Sequence, residues 1–351
     1  MDFAVETFTI SKRFPLTISR GTTSQTTNIW VRVKEEGIEG WGEASAFSIV
    51  GEKYSSDRLV TELQQIIPKL EKFSPYQRQS IEEILKELQV SSSVRSAIDM
   101  ALHDWLGKRV GLPLWRLWGL DRDRIVPTSV TVGINSQEAV KQRVRDWQQL
   151  MDVKILKVKL GNPQGIEADR QMLLAVKEEA PNATLSIDAN GGWNLDEAYS
   201  MCNWLAELGN VEFVEQPLAV GEEKNLFALH QKSPLPIFAD ESCFSSRDIP
   251  KLANCVCGVN IKIMKAGGLT EVMRSIQIAK ACGLKVMFGC YSDSTLANTA
   301  MSHLAPLADY LDLDSHLNLR DDPFTGAILQ QGRLLPNNLP GIGVEYRASF
   351  S

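Results

Sequence analysis

The 351-residue sequence has little of several features that define other protein classes. It has only six cysteines, and Cys255 and Cys257 are separated by one residue, whereas zinc knuckles and thioredoxin-like motifs need the C-x-x-C spacing. We therefore expect the cysteines to be reduced and mostly buried. None of the four histidines ends a strand-like run, and His103, His230 and His303 lie in helical patterns. This placement argues against a zinc site.

Long hydrophobic runs and an excess of positive charge are also absent. No stretch of about 18 apolar residues occurs, and the segment MDFAVETFTISKRF lacks the charged start and apolar centre of a signal peptide. We therefore expect a cytoplasmic protein that does not bind a membrane. The 37 Lys and Arg residues are outnumbered by 43 Asp and Glu, giving a net charge of -6. A nucleic-acid partner is disfavoured, because neutralising phosphates needs a basic surface.

What the sequence does contain is a repeat of strand-like and helical patterns after about residue 126. Short β-branched runs that alternate with longer helical stretches are typical of βα units on a parallel sheet. Eight runs recur at intervals of roughly 25 residues, which matches the strands of a (β/α) barrel. They are VPTSVTV (126–132), ILKVKL (155–160), TLSIDA (184–189), VEFVEQ (211–216), PIFAD (236–240), GVNIK (258–262), LKVMFG (284–289) and YLDLD (310–314).

The first third of the chain has a different order of elements. The strand-like runs FAVETFTI and NIWVRVKEEG stand on either side of a polar stretch, RGTTSQTT, which we interpret as a loop. Helical patterns follow at about 56–72, 78–88 and 91–108. This order predicts an α+β domain. The segment after Asp314 is rich in Gly, Pro and Asn, and we expect it to fold back on that first domain.

The predicted fold class is therefore α/β. We expect a (β/α)7β TIM-like barrel with an amino-terminal α+β capping domain that the carboxy-terminal tail completes. The predicted divisions are a capping domain at 1–123, the barrel at 124–320 and the return segment at 321–351.

Charged residues end six of the eight runs. They are Lys157, Lys159, Asp188, Glu215, Asp240, Lys262, Asp312 and Asp314. Catalytic groups of a parallel barrel lie at the carboxyl ends of its strands, and side chains two positions apart on a strand face the same way. Burying so many charges costs several kcal/mol each unless they compensate one another. We therefore expect them to surround one site.

Three of these residues are carboxylates on consecutive strands. Asp188, Glu215 and Asp240 are separated by 27 and 25 residues. Hard oxygen ligands of this kind suit Mg²⁺, which accepts a few carboxylates and keeps positions open for other oxygens. A single acid at a strand end is as compatible with a helix cap or a structural ion pair. Three in register, with lysines on either side, favour a metal site.

The segments around these residues resemble the enolase superfamily, within the subgroup of muconate-lactonizing enzymes. The similar segments are Lys157-Val158-Lys159, SIDANGGW around Asp188, VEQPL around Glu215, FADES around Asp240, VNIKIMKAGG around Lys262, ALHDWLGKRVGLPLWRLWG (101–119) and LPGIGVE (339–345). They cover nearly the whole chain. The resemblance implies Mg²⁺ bound by the three carboxylates, and it implies Lys159 and Lys262 as acid/base groups on opposite faces of a substrate α-carbon. It places Lys157 beside the substrate carboxylate.

The implied chemistry explains these residue types. Removing a proton next to a carboxylate creates a second negative charge as an enediolate, which a bound Mg²⁺ stabilises. A lysine must be neutral to accept that proton, and its ordinary pKa is near 10.4. We expect neighbouring positive charge to lower that pKa, from Lys157 beside Lys159, from Lys265 near Lys262 and from the metal.

The pair Asp312 and Asp314 indicates which reaction is catalysed. An Asp-x-Asp at the end of the eighth strand resembles the dipeptide epimerases, in which it binds the substrate's α-ammonium group. The resemblance implies an isomerase of the L-Ala-D/L-Glu epimerase kind, which inverts the α-carbon of the second residue of a dipeptide by 1,1-proton transfer. The alternatives are an N-succinylamino acid racemase or an o-succinylbenzoate synthase, and the two aspartates are then structural.

The resemblance also gives secondary substrate contacts: Thr131, Cys290 and Ser292. Many dipeptide epimerases carry Glu where this chain has Asp293. Arg20 is interpreted either as a partner of a substrate side-chain carboxylate or as a solvated arginine. We expect a second loop to help close the site over the substrate with the residues Phe47, Ile49 and Val50. The expected partner is a small dipeptide, and self-association into a homo-oligomer stays open.

Overall fold

The amino-terminal domain is an antiparallel sheet packed against helices. The computed structural model describes residues 1–49 and 52–347, and residues 50, 51 and 348–351 lie outside that range. The strands are β1 (Asp2–Ile18), β2 (Gly21–Glu35), β3 (Ile38–Ala44), β4 (Phe47–Ile49) and β5 (Glu52–Tyr54). The helices are α1 (Ser56–Leu70), α2 (Arg78–Glu87), α3 (Ser92–Val110) and α4 (Leu114–Leu117).

The polar stretch that the sequence suggested was a loop is mostly strand. β1 and β2 form one long hairpin that runs through it, with a register shift between Ser11 and Leu16. The threonines there pair across the strands, with a hydroxyl–hydroxyl distance of 2.9 Å between Thr9 and Thr27. The loop interpretation is wrong because threonine is β-branched, and cross-strand threonine pairs stabilise an exposed hairpin without apolar residues.

Strand β3 lies directly on helix α3. A Cβ added at Gly40 would lie 2.1 Å from the carbonyl oxygen of Ala101, and one at Gly42 would lie 1.9 Å from that of Ala97. Only glycine permits this approach of strand and helix backbones. The small side chains of Ala97 and Ala101 are fully buried beneath the strand.

The predicted barrel is confirmed. Its strands are β6 (Ser129–Val132), β7 (Ile155–Lys159), β8 (Thr184–Asp188), β9 (Val211–Glu215), β10 (Ile237–Ala239), β11 (Gly258–Lys262), β12 (Lys285–Gly289) and β13 (Tyr310–Leu311). They pair in parallel, each with its neighbour in the sequence. A parallel bridge between Thr128 and Leu311 closes the first strand onto the last. The eight strands correspond to the eight apolar runs.

Every connection between consecutive barrel strands contains a helix. These are α5 (Gln137–Leu150), α6 (Ile166–Glu179), α7 (Leu195–Leu208), α8 (Glu223–Lys232), α9 (Ile249–Leu252), α10 (Ile263–Ala266), α11 (Leu269–Ala281) and α12 (Thr295–Ser302). Local signals start several of them: Asn194 and Glu197 form a capping box at α7. The helices bury one face each against the strands, so one apolar core surrounds the barrel.

The carboxy-terminal segment returns to the first domain. Its strands are β14 (Phe324–Thr325), β15 (Ile328–Gln330), β16 (Arg333–Leu335) and β17 (Glu345–Tyr346). The fully buried Asp104 of α3 joins the parts, because it accepts hydrogen bonds from the backbone N–H of Trp41 at 2.8 Å and of Ile342 at 2.7 Å. The divisions at residues 123 and 320 stay our proposal.

The cysteines are less buried than the sequence predicted. All six cysteines are free. Only Cys202 and Cys243 are buried, and the other four are half-buried, so the expectation that most are buried is wrong. The reason is that these four lie at the ends or edges of elements rather than on their core faces. Among the described residues, no helix is both long and apolar enough to cross a membrane.

Candidate active site

Three buried carboxylates lie at the carboxyl end of the barrel. Asp188 and Glu215 are the last residues of β8 and β9, and Asp240 directly follows β10. Each is at most 1% exposed. One carboxylate oxygen from each residue lies within 4.8 Å of the others. Three converging hard oxygens with no histidine or thiol among them fit Mg²⁺.

Lys159 and Lys262 stand on either side of this carboxylate cluster. The Nζ of Lys159 lies 2.6 Å from an oxygen of Asp188, and the Nζ of Lys262 lies 2.7 Å from an oxygen of Asp240. Their strands, β7 and β11, are separated by the three carboxylate strands. In a closed eight-stranded barrel, two strands that are four positions apart lie opposite each other. The two ammonium groups therefore face the cluster from opposite walls.

The pKa of Lys262 differs from the expectation. Burial opposes the charge of Lys262, but the attraction of Asp240 outweighs it, so the pKa of Lys262 is raised. Burial likewise works against the Asp188 carboxylate, yet Lys159 and Lys157 lower its pKa to about 2. Burial and the negative charge of Asp188 raise the pKa of Glu215 to about 7. The Asp240 carboxylate is only 2.7 Å from Lys262, and its attraction outweighs the repulsion from Lys157. The pKa of Lys262 is therefore not lowered.

Lys157 lies at the centre of the acidic groups rather than at their edge. Its Nζ is 2.7 Å from Glu215, 2.8 Å from Asp312 and 3.3 Å from Asp188. Burial disfavours the charge, but Asp312 and Glu215 raise the pKa of Lys157 well above its ordinary value. The lysine thus connects the predicted metal ligands with the predicted ammonium site.

The two aspartates after β13 lie against β6. Asp312 accepts a hydrogen bond from Ser129 at 2.8 Å, and Asp314 accepts one from the backbone N–H of Thr131 at 2.7 Å. Burial and the charge of Asp312 raise the pKa of Asp314 to about 6. The thiol of Cys290 donates to the backbone oxygen of Asp312 at 3.1 Å. This group faces β9, with Glu215, across the barrel mouth.

A cavity of about 410 Å³ lies between the barrel mouth and the capping domain. Lys159, Lys262, Cys290 and Ser292 line it on the barrel side. From the capping domain, Phe47 stacks on Tyr291 with ring centroids 4.3 Å apart. Its neighbour Ile49 is not among the described lining residues, and Val50 lies outside the described range.

Arg20 at the tip of the β1–β2 hairpin contacts the barrel. Its guanidinium forms an ion pair with Glu241 at 2.8 Å and donates to the backbone oxygen of Asn190 at 3.1 Å. Neither interpretation from the sequence anticipated this internal partner. Asp293, which stands where many dipeptide epimerases carry Glu, is buried and accepts a hydrogen bond from the backbone N–H of Tyr291.

Sequence reasoning missed several residues of this cavity, and two of them, Lys12 and Tyr291, lie near the charged groups. Lys12 on β1 is 7% exposed and lines the cavity, yet its side chain forms no hydrogen bond or ion pair within the part of the chain that the structure describes. Tyr291 covers Lys262, whose Nζ lies 4.7 Å from the ring centroid. Tyr291 stands in the GCYSDST segment next to Cys290, so its position after a strand was the available signal. Nothing near Lys12 in the sequence indicated a site.

The fold and the site define an acid/base enzyme built on a (β/α) barrel around a carboxylate-lined metal site. Residues 3–119 match the amino-terminal domain of the mandelate racemase / muconate lactonizing enzyme family, and residues 137–350 match the enolase C-terminal domain-like family. The chain therefore belongs to the mandelate racemase and muconate lactonizing enzyme family of the enolase superfamily, as its motifs predicted.

Sequence relatives match this chain over nearly its whole length. A hydrophobic dipeptide epimerase of Flavobacteria bacterium (strain MS024-2A) is 40% identical over 100% of this chain and 99% of its own length. One of Roseobacter litoralis is 42% identical over 98% of each chain. Among solved structures, a dipeptide epimerase from Cytophaga hutchinsonii in complex with Mg and D-Ala-L-Val is 28% identical, with a TM-score of 0.93 over 99% of this chain and 96% of that one.

Proposed function

We propose that this protein is a Mg²⁺-dependent dipeptide epimerase that inverts the α-carbon of the second residue of a dipeptide. The observation that carries the proposal is the pair Lys159 and Lys262, whose ammonium groups face the carboxylate cluster from opposite walls. Two groups on opposite faces of a carbon can remove a proton from one side and return one to the other. That arrangement produces inversion.

Asp188, Glu215 and Asp240 would hold the metal ion. When bound, Mg²⁺ would supply positive charge where the substrate carboxylate becomes more negative. The Asp188 and Asp240 carboxylates, as its ligands, would then be less available to Lys159 and Lys262. The Nζ of one lysine then accepts the α-proton in its neutral form, while the Nζ of the other donates a proton to the opposite face. Lys157 remains charged and holds the substrate carboxylate between the metal ligands and Asp312.

The side of the barrel mouth that carries Asp312 and Asp314 fits the free α-ammonium group of a dipeptide. Asp312 and Asp314 lie opposite the metal-ligand strands, and a free α-ammonium group would add a partner to two buried carboxylates. An N-succinylamino acid has no cation for this position. With such a substrate, Asp312 and Asp314 would have only the protein groups Lys157, Ser129 and Thr131 as partners.

The side chain of the second residue is proposed to be apolar. Arg20 is already paired with Glu241, so it is neutralised and does not offer a free charge to a glutamate side chain. Leu16, Ile18 and Phe47 line the same cavity. Desolvating a carboxylate beside them would be costly without a free cation. The two relatives named hydrophobic dipeptide epimerases support this preference.

Deuterium exchange tests the proposal. Dipeptides with L-Ala first and Leu, Val, Phe or Glu second are incubated with enzyme and Mg²⁺ in D₂O, and the α-proton of the second residue is followed by NMR. We expect its signal to disappear while the L,D epimer accumulates, fastest for the apolar residues, and we expect EDTA to stop the exchange. Exchange in N-succinylamino acids, with none in the dipeptides, would establish the racemase instead.

The cytoplasmic location and self-association stay predictions from the sequence. Size-exclusion chromatography with light scattering at micromolar concentration gives the oligomeric state directly. We expect a mass above that of one chain if the exposed apolar residues at the end of α3, Val110 and Leu112, form a contact.

A further inference from the structure

A second and larger cavity lies between the capping domain and the side of the barrel. Its volume is about 760 Å³, within the range of small-molecule sites. Helices α2 and α3 form one wall, and residues 244–247 with the start of α11 form the other. We call it the interdomain cavity. None of the described residues that line it belongs to the carboxylate cluster or the lysine pair.

The interdomain cavity carries an excess of positive charge, although the chain has a net charge of -6. The lining cations are Arg78, Lys86, Arg95, Arg247 and Arg274, and the lining carboxylates are Glu82, Asp99 and Glu271. The carboxylates already have partners. Arg274 pairs with both Glu82 and Glu271. Thr270 donates its hydroxyl to Asp99 at 2.6 Å and its backbone N–H at 3.0 Å.

Two arginines remain without a partner. Within residues 1–49 and 52–347, the side chains of the half-buried Arg95 and the exposed Arg247 form no hydrogen bond, ion pair or ring contact. The guanidinium of Arg95 lies close to the backbone of Gly267, since a Cβ added there would be 3.0 Å from its Nε and Nη2 atoms. Burial lowers the pKa of the Arg95 guanidinium; the charges of Glu271 and Glu82 oppose this shift, and Arg247 adds to it as a like charge. Two like charges that face one cavity favour an anion between them.

We propose that the interdomain cavity binds a small organic phosphate, with Arg95 and Arg247 on the phosphate oxygens. Guanidinium groups bind phosphate and carboxylate oxygens in bidentate geometry. A phosphate monoester carries a charge of about -1.5 to -2 at pH 7, which matches two unpartnered cations. Ile81, Leu85 and Phe244 line the same cavity and offer an apolar surface to the organic part.

Isothermal titration with phenyl phosphate tests the proposal. The enzyme is kept with Mg²⁺ and saturating dipeptide, so that binding of phosphate to the active-site metal does not contribute, and ionic strength is held constant with NaCl. We expect saturable binding by the wild type, weakened at least tenfold in Arg95→Gln and in Arg247→Gln. Arg109→Gln is the matched control, because Arg109 also lies on α3 but is exposed and pairs with Glu36 at 2.8 Å.

Thermal unfolding and epimerase activity show whether each variant is folded. If Arg95→Gln does not fold, Arg247→Gln alone tests the proposal. The proposal is wrong if the wild type shows no saturable binding, or if both variants bind like the wild type. Equal affinity for inorganic phosphate and phenyl phosphate would remove the organic part of the assignment. Tighter binding of malonate than of phenyl phosphate would replace the phosphate with a dicarboxylate.

Discussion

Lys159 and Lys262 each form an ion pair with one carboxylate, and the two lysines have different surroundings. Lys159 contacts Asp188 on the adjacent strand β8, whereas Lys262 contacts Asp240 and is also covered by the ring of Tyr291. The two lysines should therefore act on opposite epimers and should not substitute for each other.

Alanine variants of the lysines should separate the two half-reactions. In D₂O, Lys159→Ala should lose α-proton exchange from one epimer by about 100-fold or more, while exchange from the other epimer is less affected, because general acid–base catalysis contributes about 10²–10⁴-fold. Lys262→Ala should show the opposite preference. NMR exchange rates from each pure epimer measure this. Lys285→Ala, exposed at the other end of a barrel strand, is the control. Full activity in both active-site variants would exclude the two-base mechanism.

The Asp312 carboxylate should determine the affinity for a free amino terminus. Asp312→Asn keeps the shape but removes the charge that would pair with the substrate ammonium, so KM for dipeptides should rise about 10- to 100-fold, as expected for a hydrogen bond to a charged group worth about 1.5–3 kcal/mol. Steady-state kinetics measure the change. Asp309→Asn, just before the same strand and exposed, should leave KM unchanged. An unchanged KM in Asp312→Asn would remove the main argument for a dipeptide.

At the scale of elements, the capping domain depends on the approach of β3 to α3. This contact brings Trp41 and Glu43 to the barrel side, where Glu43 accepts hydrogen bonds from the backbone N–H of Ser294 at 3.0 Å and of Ala297 at 3.2 Å. Burial and the nearby charge of Asp293 raise the pKa of Glu43 to about 8. A strand of the first domain therefore caps helix α12, which follows the active-site segment of the seventh barrel strand.

Gly42→Ala should destabilise the whole protein. The added methyl group would overlap the carbonyl of Ala97, so strand and helix must separate, at a cost of about 3 kcal/mol or more. Urea unfolding followed by circular dichroism measures it. Glu39→Ala on the same strand is the control, since its ion pair with Arg32 at 3.4 Å is half-exposed and should contribute less than about 1 kcal/mol. Equal stability of the two variants would show that β3 can move away from α3.

At the scale of the whole molecule, the carboxy-terminal return joins the two domains through His303. Its ring accepts a hydrogen bond from the backbone N–H of Trp115 at 3.1 Å and donates one to the backbone oxygen of Ile342 at 2.8 Å. The ring is fully buried. One neutral imidazole therefore holds α12, α4 and the return segment together.

Acidic pH should lower the free energy of unfolding through protonation of His303. Burial lowers the pKa of His303 to about 4, whereas an unfolded histidine titrates near 6.5. The unfolded chain binds the proton more readily, so the stabilisation is present above about pH 6.5 and is lost as the pH falls towards 4. It amounts to about 3 kcal/mol at most.

Urea unfolding at pH 7.5 and pH 4.5 checks this expectation. Wild type should lose more stability between the two pH values than His303→Gln, which is less stable at pH 7.5 but has no imidazole to titrate. His230→Gln on α8 should retain the full pH dependence. The same dependence in wild type and His303→Gln would show that other groups cause the acid loss.

The barrel and most of its site followed from the sequence alone. Strand and helix periodicity are local, so eight apolar runs gave eight strands, and the rule that strand ends meet at one barrel edge brought Asp188, Glu215 and Asp240 together. The threonine-rich hairpin was missed because polar β-branched residues carry no apolar alternation.

Contacts between elements far apart in sequence were decided only by the tertiary structure. Arg20 meets Glu241 and Lys157 meets Asp312, although 221 and 155 residues separate them, and Lys12 enters the cavity from the opposite domain. No local pattern encodes which charges become neighbours, since that depends on how the two domains pack. The pKa values of the buried charges and the interdomain cavity depend on the same packing. The sequence therefore determined the barrel and the carboxylates at its strand ends, while the tertiary structure determined which groups contact them.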